Sequence, residues 1–166
     1  MPPTDDFFDG LVTHYALLGA CSRDARCRIL LDSGATASCI AKNNKMLKAL
    51  CTAVVDPSPN AGVRVGSAEV LNVDKVVNLC FGGDLGFDGY RVVNGRRVEE
   101  RGELQCHNVL VVDGLDVDII LLSMRDLLER DGVKAYFNAD NAHKVSNSLL
   151  LLPNGVVIPF AADFKS

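Results

Sequence analysis

Ile29-Leu30-Leu31-Asp32-Ser33-Gly34-Ala35-Thr36 decides how this chain is read. Three apolar residues lead into an acid, and a hydroxyl, a glycine and a small residue follow it. The apolar run reads as a short strand with the acid at its buried end, where the charged form of a carboxyl is disfavoured. Two such acids held close together keep one proton between them, which is the requirement for paired acid and base work. Ser33 can donate a hydrogen bond within the turn, and Gly34 permits backbone angles or approaches that a Cβ would forbid. An ordinary Asx turn after a buried strand has the same make-up, so the surrounding chain has to separate the two readings.

Outward from this stretch the chain reads as mostly β, with short Val, Ile and Leu runs separated by Gly, Pro, Asn and Asp from Arg28 onward. Ala37 to Ile40 continues past the turn, and Met46 to Cys51 fits a helical turn or a strand. Val63 to Val73 alternates apolar residues on both sides of a small tip, the pattern of a two-stranded hairpin, with Val65, Gly66, Ser67 and Ala68 as a candidate flap. Val76 to Phe81 reads as a separate strand, and Gly82 to Gly86 is a Gly-rich connection. Tyr90 to Val98 is a hairpin around Asn94-Gly95, a pair suited to a type I′ turn, and Leu104 to Val112 is a strand.

Val117 to Leu122 is apolar on both faces, as an interior strand is. It runs into the one helix the pattern predicts: Ser123 is its N-cap, Met124, Leu127 and Leu128 recur at helical spacing, Arg130 suits the last turn, and Gly132 stops it. Val133 to Phe137 resumes as a strand, Asn138 to Ser148 reads as a loop, and Leu149 to Phe160 as a hairpin around Pro153-Asn154-Gly155. With no repeat and no linker, the 166 residues read as a single domain with a core over 28–160 and an N-terminal extension over 1–27.

A formal net charge of -4 supplies no basic face for phosphates, so no nucleic acid partner is expected. Arg91, Arg96, Arg97 and Arg101 interleave with Glu99, Glu100 and Glu103, which reads as a solvated mixed face. Six cysteines occur without a C-x-x-C pair, and no H-x-x-x-H spacing accompanies them, so neither metal nor cofactor is expected. The thiols read as reduced, small apolar side chains, which favours a cytoplasmic location. Met1 to Asp9 lacks the basic and apolar regions of a signal peptide, and no apolar run approaches the roughly 18 residues of a membrane span, so no membrane partner is expected. Cys106 and His107 are neighbours on a strand and point to opposite faces, which argues against a thiol–imidazole pair. His14 and His143 lie in no motif, and no G-x-S-x-G elbow for a serine hydrolase is present.

The order of these elements resembles the retropepsin-like (retroviral-type) aspartic proteases, and most closely those of copia-type retrotransposons. The resemblance rests on Ile29 to Thr36, on Asn108-Val109-Leu110-Val111-Val112-Asp113-Gly114-Leu115, and on Asp118-Ile119-Ile120-Leu121-Leu122-Ser123 running into Leu127-Leu128. It implies an all-β fold: a closed β-barrel subunit with a ψ-loop carrying the acid, a β-hairpin flap and one short α-helix. It implies Asp32 as the catalytic acid, Ser33 as a hydrogen-bonding link across a dimer, and Gly34, Ala35 and Thr36 as support. It also implies an endopeptidase that takes an extended polypeptide substrate and processes a Gag-Pol-like polyprotein, in the cytoplasm or within virus-like particles.

Asp9-Gly10, Asp88-Gly89, Asp113-Gly114 and Asp131-Gly132 lack the intervening hydroxyl residue, so the chain holds one acid of a pair. A homodimer with twofold symmetry would bring two copies of Asp32 together. The chain departs from the family in four places. Thr36 and Ala37 stand where an acid often pairs with the Arg before the helix, leaving Arg125 without that partner. Ser123-Met124-Arg125-Asp126 replaces Gly-Arg-Asn or Gly-Arg-Asp, the flap lacks the Ile-Gly-Gly pattern, and Gly82 to Glu103 is long. These departures leave an alternative open: a weakly active or inactive dimerisation or peptide-binding module.

Overall fold

The computed structural model of the chain describes residues 14–17, 28–32, 35–64, 70–130, 132–136 and 148–163. Its strands are β1 (His14–Leu17), β2 (Arg28–Asp32), β3 (Cys39–Ala41), β4 (Cys51–Asp56), β5 (Gly62–Arg64), β6 (Val70–Phe81), β7 (Tyr90–Val93), β8 (Arg96–Glu99), β9 (Leu104–Val112), β10 (Ile119–Ser123), β11 (Lys134–Tyr136), β12 (Ser148–Leu151) and β13 (Val157–Asp163). Two short α-helices, α1 (Leu47–Leu50) and α2 (Met124–Arg130), join them. The fold is all-β in class, and the two helices among the described residues correct the expectation of a single helix. The Asn44 carboxamide oxygen accepts the Met46 N–H at 2.7 Å and starts the extra turn, which buries Leu50.

The strands follow the order β11-β12-β13-β1-β2-β10-β3-β9-β6-β4, with β5 on β6, β7 on β13 and β8 on β7. Closure of this sheet is not seen among the described pairings. Its centre is a double crossing. β10 lies parallel to β2, with Leu121 opposite Leu30 and Ser123 opposite Asp32, and antiparallel to β3, with Ile120 opposite Ile40. β3 in turn lies parallel to β9, with Cys39 opposite Leu110. Thus β10 threads between β2 and β3, whose connection follows Asp32, while β3 threads between the consecutive strands β9 and β10.

The sequence requires such a placement, because the apolar residues of β2 and β10 leave no polar face to turn to water. Ile29, Leu30, Leu31, Ile120, Leu121 and Leu122 are all buried. Ile29, Leu31, Ile120 and Leu122 join Ile40, Val77, Val109 and Phe81 in the main core. A smaller cluster of Cys39, Val73 and Val112 lies apart from it, and the partly buried Val63 and Leu71 pack against that cluster.

Three differences from the sequence reading have local causes. β6 is one strand of 12 residues rather than two, because a register shift between Val73 and Lys75 accommodates the polar Asp74-Lys75 step without ending the ladder. The chain before Arg28 supplies β1, which pairs with both β13 and β2. The strand after Leu122 extends through Ser123 before α2 begins. The Asn94-Gly95 turn is as expected, with φ of 51° and 76°, the left-handed pair that type I′ geometry requires. The hairpin before Val73 also forms, β5 pairing with β6 as Val63 opposite Leu71 and Arg64 opposite Val70. No helix among the described residues is long and apolar enough to cross a membrane.

Candidate active site

Asp32 ends β2, and only 9% of it is exposed although it is an acid. Interior strands on this side leave an ionisable group at the point where the ladder stops. The Ala35 N–H points back to the Asp32 carbonyl at 3.4 Å, a loose closure of the turn. Ala35 is half-buried and Thr36 exposed, while Ser33, Gly34 and the flap residues Val65, Gly66, Ser67 and Ala68 lie outside the described residues.

Two serines fix the chain that leaves Asp32. Ser123 is 0% exposed and Ser38 3%, so each needs its hydrogen bonds made inside the protein. The Ser123 N–H donates to Ser38 Oγ at 2.9 Å, and Ser123 Oγ donates to the Ala35 carbonyl at 2.8 Å. The Ser38 carbonyl accepts the Leu110 N–H at 2.9 Å. Ser123 Oγ also accepts the Asp126 N–H at 3.2 Å, which is the helix cap expected from the sequence. The link from that cap to Ala35 and Ser38 was not anticipated. Its only sequence signal is a hydroxyl residue inside the otherwise small and apolar run Ala37-Ser38-Cys39-Ile40.

The Cys39 thiol is pushed up to about 12, first by burial and then by the charge of Asp32. A thiol so raised stays protonated and inert near neutral pH. The coupling also places the carboxyl of Asp32 within electrostatic reach of the small cluster on which the β5–β6 hairpin rests. Asp32, the cluster and the base of the hairpin therefore share one region.

Other sequence candidates separate from it. Arg125 finds an acid one helical turn away, Glu129, at 3.2 Å, in an exposed pair. Cys106 is buried and His107 exposed, so the two face apart. Among the described residues no group of three or more His, Cys, Asp or Glu side chains is placed to hold a metal. A surface cleft of about 410 Å³ gathers Lys42, Lys45, Lys48 and Lys75, a grouping invisible in the sequence because Lys75 comes from β6. Asp32 does not line it, and Asp74 pairs with Lys42 there at 3.5 Å.

Comparison with protein-family models, with curated proteins and with solved structures gives no match to this chain.

Proposed function

We propose that the chain is one subunit of a homodimeric aspartic endopeptidase with a retropepsin-like fold. The observation that carries this reading is the buried acid Asp32, alone of its kind among the described residues, at the end of an interior strand whose onward connection is straddled by β10. That crossing has the form of the ψ-loop that the family places under its catalytic acid. In this reading the sheet closes as a small barrel, and the β5–β6 hairpin is the base of a flap whose tip is Val65 to Ala68. Ser33 links the two turns across the dimer, with Gly34, Ala35 and Thr36 as support.

The proposed chemistry needs no covalent intermediate. Two Asp32 carboxyls share one proton; the ionised one takes a proton from a water held between them, and that water attacks the scissile carbonyl. The protonated one donates to the carbonyl oxygen, giving a tetrahedral diol. A proton then passes to the leaving amine as the C–N bond breaks. An extended polypeptide would lie between the hairpin and Asp32, hydrogen-bonding as an added strand does. A Gag-Pol-like precursor, cut in the cytoplasm or in virus-like particles, is the substrate class the resemblance suggests.

A second reading, a dimerisation or peptide-binding module with little proteolysis, is favoured by one observation: Arg125 pairs with Glu129 rather than with an acid after the triplet. Cleavage of a peptide panel from acidic to neutral pH distinguishes the two. The parent cleaves and Asp32→Asn loses about 10³-fold or more, as removal of a principal acid–base group does. Undiminished cleavage by Asp32→Asn would overturn the protease reading, and binding without cleavage by the parent would favour the module.

A further inference from the structure

We infer that Ser123 is a positioning residue for Asp32, acting through Ala35 and Ser38; this rests on the reading of Asp32 as the catalytic acid. Ser123 occupies three roles at once. It is the ladder neighbour of Asp32 in the parallel pair β2–β10. It caps α2 through the Asp126 N–H. It also holds the chain that leaves the catalytic turn at two points, with its hydroxyl proton on the Ala35 carbonyl and its backbone N–H on Ser38 Oγ.

A hydroxyl suits this position because it has one proton to give and lone pairs to accept with. Its proton goes to Ala35 and a lone pair accepts from Asp126, so one oxygen atom serves both partners. Alanine at 123 would remove the hydroxyl that the half-buried Ala35 carbonyl and Asp126 N–H share, at a residue that is itself fully buried. The helix and the catalytic turn are thereby joined through a single atom. The turn must present its carboxyl within a few ångström of a second copy, where a displacement of about 1 Å costs up to roughly a hundredfold in rate. Ser38 extends the hold, since its own carbonyl accepts the Leu110 N–H of β9. β3, β9, β10 and α2 all bear on the four residues after Gly34.

The experiment pairs amide hydrogen exchange with steady-state kinetics on the full chain. Ser123→Ala is expected to speed exchange at the Ala35 and Leu110 amides, and to lower kcat about 10- to 100-fold while KM stays within roughly twofold. Ser123→Thr, which restores the hydroxyl, recovers most of both. Leu104→Val, in the core at the other end of β9, destabilises the fold without the split between kcat and KM. If Ser123→Ala fails to fold, Ser38→Ala removes one arm of the hold and is read the same way. Unchanged exchange at Ala35 and Leu110 would overturn the inference. So would faster exchange with an unchanged kcat. A parent that cleaves nothing overturns the catalytic reading of Asp32, and with it the positioning role, while the exchange data alone still report whether Ser123 holds the turn.

Discussion

The crossing around Asp32 and the hairpin formed by β7 and β8 use polar side chains to opposite effect. At the crossing, Ser38, Asn44 and Ser123 are buried, and their bonds join residues far apart in the chain: Asn44 Nδ2 donates to the Val117 carbonyl at 3.0 Å, and Ser123 reaches Ala35 and Ser38. In the hairpin, every residue of β8 is exposed and Val92 is 60% exposed. There Arg91 grips Glu100 through two bonds of 3.2 and 3.1 Å and also donates to the Asn154 carbonyl, while Arg97 covers the Tyr90 ring at 3.8 Å. The bonds are as numerous, but water competes for every one of them. A buried bond that is lost leaves a stranded partner, whereas an exposed one is replaced by solvent. The crossing is therefore where substitutions should register, and the hairpin where they should not.

The largest effect is expected from breaking the apolar half of the crossing. Ile120 is fully buried between β2 and β3, and Ile120→Ala should cost about 2–5 kcal/mol in urea unfolding, through lost transfer free energy and the cavity left behind. A cost under about 1 kcal/mol would mean that β10 does not lie at the centre of the sheet.

An intermediate effect tests the raised thiol of Cys39, which burial sets first and the charge of Asp32 second. The native thiol keeps its proton up to about 12, against an ordinary value of 9.0. Between those values the unfolded chain has released a proton that the folded chain still holds, so stability present below the lower value is lost as pH rises toward the upper. Cys39→Ala should show less of this loss than the parent across the same window. Identical slopes would contradict the raised thiol. The smallest effect is expected at the hairpin: Arg91→Ala should leave the thermal midpoint close to that of the parent. The Glu100 carboxyl, held below its usual range by Arg91, contributes through an exposed pair whose effect disappears as pH falls through that lowered value.

The sequence made strands legible where one residue type dictates geometry. Asn94-Gly95 specified its turn, the two-faced apolar run around Ile120 specified an interior strand, and Ser123 specified a helix start. It did not reveal α1, because Met46, Leu47 and Leu50 suit either state and the choice is made by the Asn44 side chain bonding to Met46. It divided β6 at Asp74-Lys75, because a bulge that tolerates two polar residues leaves the same local pattern as a strand end. At the candidate site Asp32 stood out from its neighbours alone. The hold on its turn did not, since Ser38 and Ser123 are 85 residues apart and only the threading of β10 brings them together. The unpaired state expected of Arg125 depended on the family's distant acid, while Glu129, one helical turn along, was the nearer partner.

The central claim is that one chain carries half of a catalytic pair. It is tested most directly by mixing parent with Asp32→Asn at fixed total concentration, after subunits have exchanged, and measuring peptide cleavage. Two-acid catalysis predicts activity that falls as the square of the parent fraction, because only parent–parent dimers hold both carboxyls. A linear fall would show that each chain works with its own Asp32 alone and would contradict the account.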